Sequence, residues 1–588
     1  MDHSSSPGGA SASSAAVGHI VSVRGSRATI EFVSACPGSV RVTVGAFMVI
    51  EADEARVVGM ITEIAAAPRD AGADLKSGRT TAHVDLVGEI QRGEDDALFF
   101  RRGLSVYPSI GDPATVLPRE EIGLIHGPRV ERSISIGQLY NDPTIEAHID
   151  VDNLLARHFA ILGSTGVGKS SGVAVMLREI LAVRPDLRIF VLDGHNEYGR
   201  CFGELANVVN PRAAKLPFWL FNFEEIVDVI YGGRPGIDEE LEILSELIPI
   251  AKSQYLQYKS ADRLSLKRFD PRSTGFTIDT PVPYLLQDLI ALIDERMGKL
   301  ENRSSRMNYH RLIGRIETIR NDPRYDFMFE NANVGGDTMA ELLNQLFRID
   351  MQGKPVTVMQ LSGLPVEVMD AVVSVLCRLA FDFGLWSDGA IPLLFVCEEA
   401  HRYASVDHSI GFAPTRRALS RIAKEGRKYG VFLGLVSQRP AELDPTIISQ
   451  CATLFAMRMA NDRDQALLRS AVSDDTADLL DFIPTLAVRE VIGIGEGVPL
   501  PVRMTFRRLP DHLLPRSEAL GSWSKGSGVQ HGSGFVQEVV DRWRRAATER
   551  KPRLEDSPPA AAAAAPEPGT TVSASARLDQ AKYQLLRR

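Results

Sequence analysis

The segment HFAILGSTGVGKS (158–170) constrains this chain more than any other stretch. An apolar run from His158 to Leu162 feeds a glycine-rich turn, and SGVAVMLREILA continues with helical periodicity. A strand, a tight turn and a helix in that order belong in an α/β layer, where the strand is covered on both faces. The turn fits GxxxxGK[ST] at Gly163, Gly168, Lys169 and Ser170, with Ser164, Thr165, Gly166 and Val167 between them and Ser171 following. Glycines let the backbone wrap phosphates and aim N–H groups at them, helped by the positive end of the following helix. In such a loop Lys169 reaches the β- and γ-phosphates and the Ser170 hydroxyl ligates Mg²⁺. ATP and Mg²⁺ are therefore the expected cofactors.

Further apolar runs end in polar groups, as strands of an open parallel sheet do at its ligand edge. IPLLFVCEEAH (391–401) ends in Glu398 and Glu399. Glu398 is the candidate for holding Mg²⁺ and Glu399 for polarising the attacking water, though the two labels are exchangeable. LRIFVLDGHNEYGR ends its strand at Asp193, with His195 and Glu197 just beyond. Asp193 and Glu197 sit at the nucleotide edge, either to position water or couple the phosphate state to a neighbouring subunit, or to cap their own loop. VFLGLVSQRP (431–440) ends at Gln438, placed to sense a γ-phosphate or to stitch the sheet to its loop. The alternation from Arg157 to about Met459 predicts one parallel sheet with helices on both faces, interrupted by a helical segment.

The segment APTRRALSRIAKEGRKYG crowds Arg416, Arg417, Arg421, Lys424, Arg427 and Lys428 onto one helix-like run. Hydrolysis leaves charge on the transferring phosphoryl group, and an arginine supplied by a neighbouring subunit stabilises it. Arg427 is the first candidate and Arg421 the second. Arg157, just before the first strand, is a further candidate contact to the γ-phosphate or to an interface.

The remaining chain divides by pattern. Residues 1–16 are Ser, Gly and Ala and are expected to be disordered. Residues 17–118 show five short β-rich runs with turn residues such as Gly25, Pro37-Gly38 and Gly72, the pattern of a small closed barrel. The α/β core is expected over 119–222 and 327–510, with a helical insertion at 223–326, an extension at 511–550 and a low-complexity tail at 551–588. The insertion carries a basic run, Arg296, Lys299, Arg303, Arg306, Arg311, Arg315 and Arg320, opposed only by Glu301 and Glu317. It is read either as a solvated helix face or as a surface for DNA or a neighbouring subunit. A net charge of −9 excludes a wholly basic nucleic-acid coat, so a polyanion must meet a local basic surface. Five scattered cysteines without a CxxC pair argue against a disulfide framework or a zinc ribbon. With no apolar run long enough to span a bilayer and no secretory signal, a cytoplasmic protein with no membrane partner is expected.

Taken together, SIGQLYND, LLARHFAILGSTGVGKS, LDGHNEYGR, FVCEEAHRY, RIAKEGRKYGVFLGLVSQRP and SQCATLFAMRMANDRDQ resemble the HerA family of DNA translocases, in the HerA–FtsK superfamily, over roughly residues 17–510. The resemblance implies an N-terminal HAS-barrel and a RecA-like P-loop NTPase core with a helical insertion. It also implies a homohexameric ring with double-stranded DNA in its pore. A partner nuclease of the NurA kind, or a sirtuin-like effector in antiphage defence, is implied in the same way. Carried over by position, Lys169 and Ser170 match the phosphate loop, Glu398 and Glu399 the second motif, Gln438 the sensor, and Arg427 or Arg421 the trans arginine. The Ala/Pro tail beyond 550 has no counterpart in the family pattern.

Overall fold

The runs Phe159–Leu162, Leu393–Cys397 and Thr453–Met457 are buried at every residue. Strands with apolar side chains on both faces leave no side for water, so they pack inside a covered sheet. The computed structural model describes residues 17–32, 42–53, 55–66, 80–93, 96–128, 130–261, 276–299, 303–329, 336–364, 366–407, 413–471, 477–515 and 535–541. The expected tails, the turns at Pro37-Gly38 and Gly72, and the Gly/Ser segment 521–534 lie outside the described residues.

Seven strands come first: β1 (Gly18–Arg24), β2 (Arg27–Phe32), β3 (Phe47–Ala52), β4 (Ala55–Ala66), β5 (Thr80–Arg92), β6 (Leu98–Arg102) and β7 (Pro113–Val116). Six of them close in the circuit β2-β1-β7-β3-β4-β5, because β2 also pairs with the first half of β5. The second half of β5 pairs with β6 instead. The five expected strands are thus seven. The first run is a hairpin turning at Gly25, and the short segment LFFRR forms β6. Bulges at Val58/Gly59 and Ile61/Glu63 bend the long β4–β5 pair so that it can serve both neighbours. A Cβ on Gly59 would lie 2.3 Å from Val84 Cγ1, so the bend needs glycine there. Ile20, Ile30, Met48, Ile50, Val57, Ile61 and Val84 fill the interior.

The second sheet contains β8 (Ser133–Leu139), β9 (Glu146–Asp150), β10 (Phe159–Leu162), β11 (Arg188–Asp193), β12 (Ala206–Val209) and β13 (Val356–Gln360). It continues with β14 (Leu393–Cys397), β15 (Val431–Ser437), β16 (Thr453–Met457), β17 (Glu490–Gly495) and β18 (Val502–Phe506). The order is β12-β13-β11-β14-β15-β10-β16-β17-β18-β8-β9. From β12 to β16 all neighbours are parallel. From β16 to β9 they are antiparallel, but these added strands (133–150 and 490–506) flank the stretch 157–459, within which all neighbours are parallel as expected. The β17–β18 and β8–β9 pairs are hairpins joined by short turns, and a hairpin is antiparallel by construction. Period-2 alternation splits the core. Phe190, Phe395 and Leu435 face one layer, whereas Ile189, Val396 and Val436 face the other.

The main regular elements of the insertion among its described residues are helices: Phe223–Tyr231, Asp238–Ala261, Leu286–Gly298 and Arg303–Arg320. Leu244, Leu247, Leu289, Ile293, Leu312 and Ile316 form its interior. Buried Glu225 completes a capping box with Asn222 and accepts from Ser374 Oγ at 2.9 Å and Arg378 Nη2 at 2.9 Å, tying the insertion to the helix Val366–Trp386. Much of the basic run is neutralised within the chain. Arg315 pairs with buried Glu240 at 3.2 Å, Lys299 with Glu295 at 2.6 Å, and Arg296 with Glu246. No helix among the described residues is long and apolar enough to cross a membrane. A second compact unit, 529–588, has one described element, a helix over 535–541.

His158 sits just before β10 with φ +56° and is 3% exposed. Its Nδ1 accepts from Leu433 N–H at 2.9 Å, so its Nε2 carries the proton given to Ala423 O at 3.1 Å. Burial, with a smaller push from the Arg427 charge, lowers its pKa to about 4. The unfolded imidazole titrates near 6.5, so the unfolded chain binds the extra proton between those values. Stability is therefore full above about pH 6.5 and is lost as the pH falls toward 4, by on the order of 3 kcal/mol. Thermal melts across this range should show that acid limb, and His158→Gln should flatten it. Arg378→Ala, which leaves Glu225 buried and unpaired, should cost about 3–5 kcal/mol and expose the insertion to limited proteolysis.

Candidate nucleotide site

The strand register brings four C-terminal ends together. Leu162 stands beside Ser437, Leu435 beside Cys397, and Cys397 beside Leu192. The loops after β10, β15, β14 and β11 therefore open onto one crevice, with β15 between the phosphate-loop strand and the acidic strand.

Gly166 (φ +77°) and Gly168 (φ +99°) occupy the left-handed region that favours glycine. A Cβ on Gly163 would lie 2.8 Å from Met457 Cβ. The N–H of Ser164 donates to Arg458 O at 2.9 Å, which pins the loop to the end of β16. Lys169 Nζ donates to Ser164 O at 2.9 Å across the loop. Burial lowers the Lys169 pKa, while the charges of Glu399, Glu398 and Glu197 oppose that shift. Ser170 Oγ donates to Glu197 Oε2 at 2.7 Å, and the Thr165 hydroxyl donates to Gln438 Oε1. Val167 is buried and its carbonyl accepts from Arg489 N–H at 2.8 Å, while Ser171 lies in the first turn of the helix Lys169–Val183.

Glu398 and Glu399 leave β14 into the crevice and are 4% and 6% exposed. Burial, reinforced by Asp193, Glu197 and Glu399, holds the Glu398 carboxyl well above the usual range, and Lys169 only partly offsets it. Its Oε2 is buried without a hydrogen-bond partner among the described residues. That orphaned oxygen, close to the Ser170 hydroxyl partner Glu197, fits a divalent cation. No cage of three His, Cys, Asp or Glu exists among the described residues. A Mg²⁺ beside a triphosphate needs none, because it keeps water and phosphate oxygens as ligands. Glu399 has φ +51°, a strained geometry for a side chain of its size. Its Oε1 lies 3.3 Å from His195 Nε2 and its Oε2 3.3 Å from His401 Nδ1.

Asp193 takes the role of the loop cap. It is fully buried and accepts from the N–H groups of Glu197 at 3.0 Å and Tyr198 at 2.9 Å, which holds the Glu197 side chain where it accepts from Ser170. Burial raises its pKa against those hydrogen bonds. The arginines lie elsewhere. Arg157 precedes β10 and Arg427 precedes β15, at the opposite edge from the phosphate loop. The seven residues of β15 span about 20 Å. Both therefore lie about a strand's length from the phosphate loop of the same chain. Arg157 pairs with Glu496 at 2.7 Å. Arg421 is held over the Phe381 ring at 4.1 Å and lies 3.7 Å from Asp382. Arg427 is exposed and has no side-chain hydrogen bond or ion pair among the described residues. The sequence reading passed over His401. Its only signal there is its position two residues after Glu399.

Residues 134–380 match the family model described as the central domain of helicase HerA. This central domain belongs to the HerA family. The DNA double-strand break repair helicase HerA of Pyrococcus furiosus is 28% identical over 509 residues, covering 79% of this chain and 82% of the relative. The protein of the same name from Saccharolobus solfataricus is 26% identical over 505 residues, covering 82% and 92%. Among solved structures, VirB4 of Thermoanaerobacter pseudethanolicus aligns with a TM-score of 0.46 at 13% identity, over 65% of this chain and 98% of that one.

Asp193→Ala leaves the buried N–H of Tyr198 and the part-buried N–H of Glu197 without their acceptor and should destabilise the chain by about 1–3 kcal/mol. The check is a melting curve beside a nucleotide titration. The melting temperature should drop while affinity per folded molecule stays within a few-fold.

Proposed function

We propose that the chain is an ATP-driven motor on double-stranded DNA, working as a homohexameric ring whose nucleotide sites are completed across subunit seams. One observation carries the reading: the groups for binding and cleaving a triphosphate converge in one crevice, but the free arginine Arg427 lies a strand's length away. In this reading Lys169, Ser170, Glu398, Glu399 and Gln438 bind and cleave the nucleotide in one subunit, and Arg427 of a neighbour supplies the charge at the transferring phosphoryl group.

In this reading the N–H groups of residues 163–171 and Lys169 hold the phosphates, with Ser170 and Glu398 holding Mg²⁺. The metal supplies charge neutralisation at the β- and γ-phosphates. Glu399 takes a proton from water as its oxygen attacks the γ-phosphorus, and the bond to the bridging oxygen breaks to release ADP. Gln438, directly after β15 and beside the phosphate loop, reads the γ-phosphate. Arg427, with Arg421 and Arg157 as lesser candidates, supports the transferring group in the adjacent subunit. DNA affinity is confined to the pore of an acidic chain and weakens steeply with salt. The barrel over 17–118, which contains none of these residues, is the part suited to docking an effector, a NurA-like nuclease or a sirtuin-like enzyme. DNA-end processing or antiphage defence is then the setting.

Lys169→Ala should abolish nucleotide binding, whereas Glu399→Gln should bind ATP and lose at least a hundredfold in turnover, measured with linear duplex present. Arg427→Ala should lose about 10³-fold or more. Assemblies mixed from Glu399→Gln and Arg427→Ala subunits should regain hydrolysis that neither has alone. No recovery in exchanged, mixed assemblies would overturn the trans assignment. A rate indifferent to duplex DNA would overturn the motor.

A further inference from the structure

Glu399 is held in an unfinished way. Its Oε1 has His195 Nε2 at 3.3 Å. Its Oε2 stands 3.3 Å from His401 Nδ1 but outside hydrogen-bond alignment, and it is a buried oxygen with no hydrogen-bond partner among the described residues. A buried, unsatisfied carboxylate oxygen beside a ring nitrogen calls for a reason. The reason is that the nitrogen is engaged elsewhere. Ser437 Oγ lies 3.2 Å from the same Nδ1. That hydroxyl oxygen already accepts from Arg439 N–H at 3.1 Å, so its own proton is free to point at the imidazole.

His401 is 9% exposed, and burial lowers its pKa despite the nearby Glu399 charge. A neutral imidazole has one N–H. While the Ser437 hydroxyl donates to Nδ1, the ring proton is on Nε2 and Glu399 Oε2 faces a lone pair. When the hydroxyl turns away, the ring exchanges its proton through water to Nδ1, and Nδ1–H donates to Glu399. Ser437 is the last residue of β15, directly before Gln438, whose side chain touches Thr165 in the phosphate loop. Any movement of Gln438 toward a γ-phosphate therefore pulls on the residue that occupies His401.

We propose that Ser437 and His401 form a latch on Glu399, in which the serine hydroxyl and the glutamate compete for one imidazole nitrogen and Gln438 decides the outcome. His401 and Ser437 are positioning residues in this scheme. They orient the carboxylate that activates water and touch neither nucleotide nor metal. The inference rests on the reading of Glu399 as the water-activating group.

The test uses the full chain and reads ATP turnover with and without linear duplex, KM, affinity for a fluorescent ATP analogue, and melting temperature. His401→Ala should lower kcat tenfold or more, with KM and affinity within threefold. His401→Asn, which returns one N–H near Nδ1, should recover part of the loss. Ser437→Ala removes the competitor and should raise turnover without DNA severalfold. Adding His401→Ala to Glu399→Gln should cost nothing further. A His401→Ala loss that appears in KM or affinity, a Ser437→Ala variant that falls as His401→Ala does, or multiplying defects in the double variant would each overturn the latch. If His401→Ala does not fold, the signs for His401→Asn and Ser437→Ala decide alone. Full hydrolysis by Glu399→Gln would instead sink the role of Glu399 itself, a separate result from an intact Glu399 role with an indifferent His401.

Discussion

Everything at the candidate site follows from burying one ammonium among carboxylates. Lys169 is largely removed from water, and Glu197, Glu398 and Glu399 surround it. Charges in a low-dielectric crevice are tolerable only when paired or hydrogen-bonded, and the count here favours the negative side. A divalent cation would offset part of that excess, while the phosphates meet Lys169 and the loop N–H groups. The same desolvation makes small rearrangements of Glu399 and His401 consequential, since electrostatic differences grow where water is excluded.

The crevice is held at fixed dimensions by its surroundings. The fully buried strands β10, β14 and β15 keep their ends in register, and Asp193 ties down the loop that carries Glu197. His158 fastens the start of β10 to the turn before Arg427, through Ala423 O and Leu433 N. One buried imidazole thus links the phosphate-loop strand to the segment bearing the exposed arginine. The insertion is anchored through Glu225 and Arg378, a buried pair whose value lies in geometry more than in net stability.

Much of this was legible in the residues. GSTGVGKS between an apolar run and a helical pattern named its own conformation, because few backbones accommodate those glycines. The runs ending at Glu398 and Gln438 declared strand ends by composition. The barrel was legible as a class but not in strand count. LFFRR is too short to announce itself, and the hairpin at Gly25 reads as one continuous run. The antiparallel extension was missed because the hairpin β8–β9 lies far in the chain from the hairpin β17–β18 that it joins, and local pattern carries no information on such pairing.

By itself the sequence determined the phosphate loop, the double-sided burial of the parallel strands and the helical nature of the insertion. These depend on local backbone preference and hydrophobic periodicity. Only the tertiary structure decided that Asp193 is a cap and Glu197 the partner of Ser170. It alone set Arg157 and Arg427 at the far edge of the sheet from the phosphate loop, paired much of the basic run internally, and brought His195, His401 and Ser437 around Glu399. Those outcomes are distances between residues remote in the chain, and such distances exist only once the strands have chosen their neighbours.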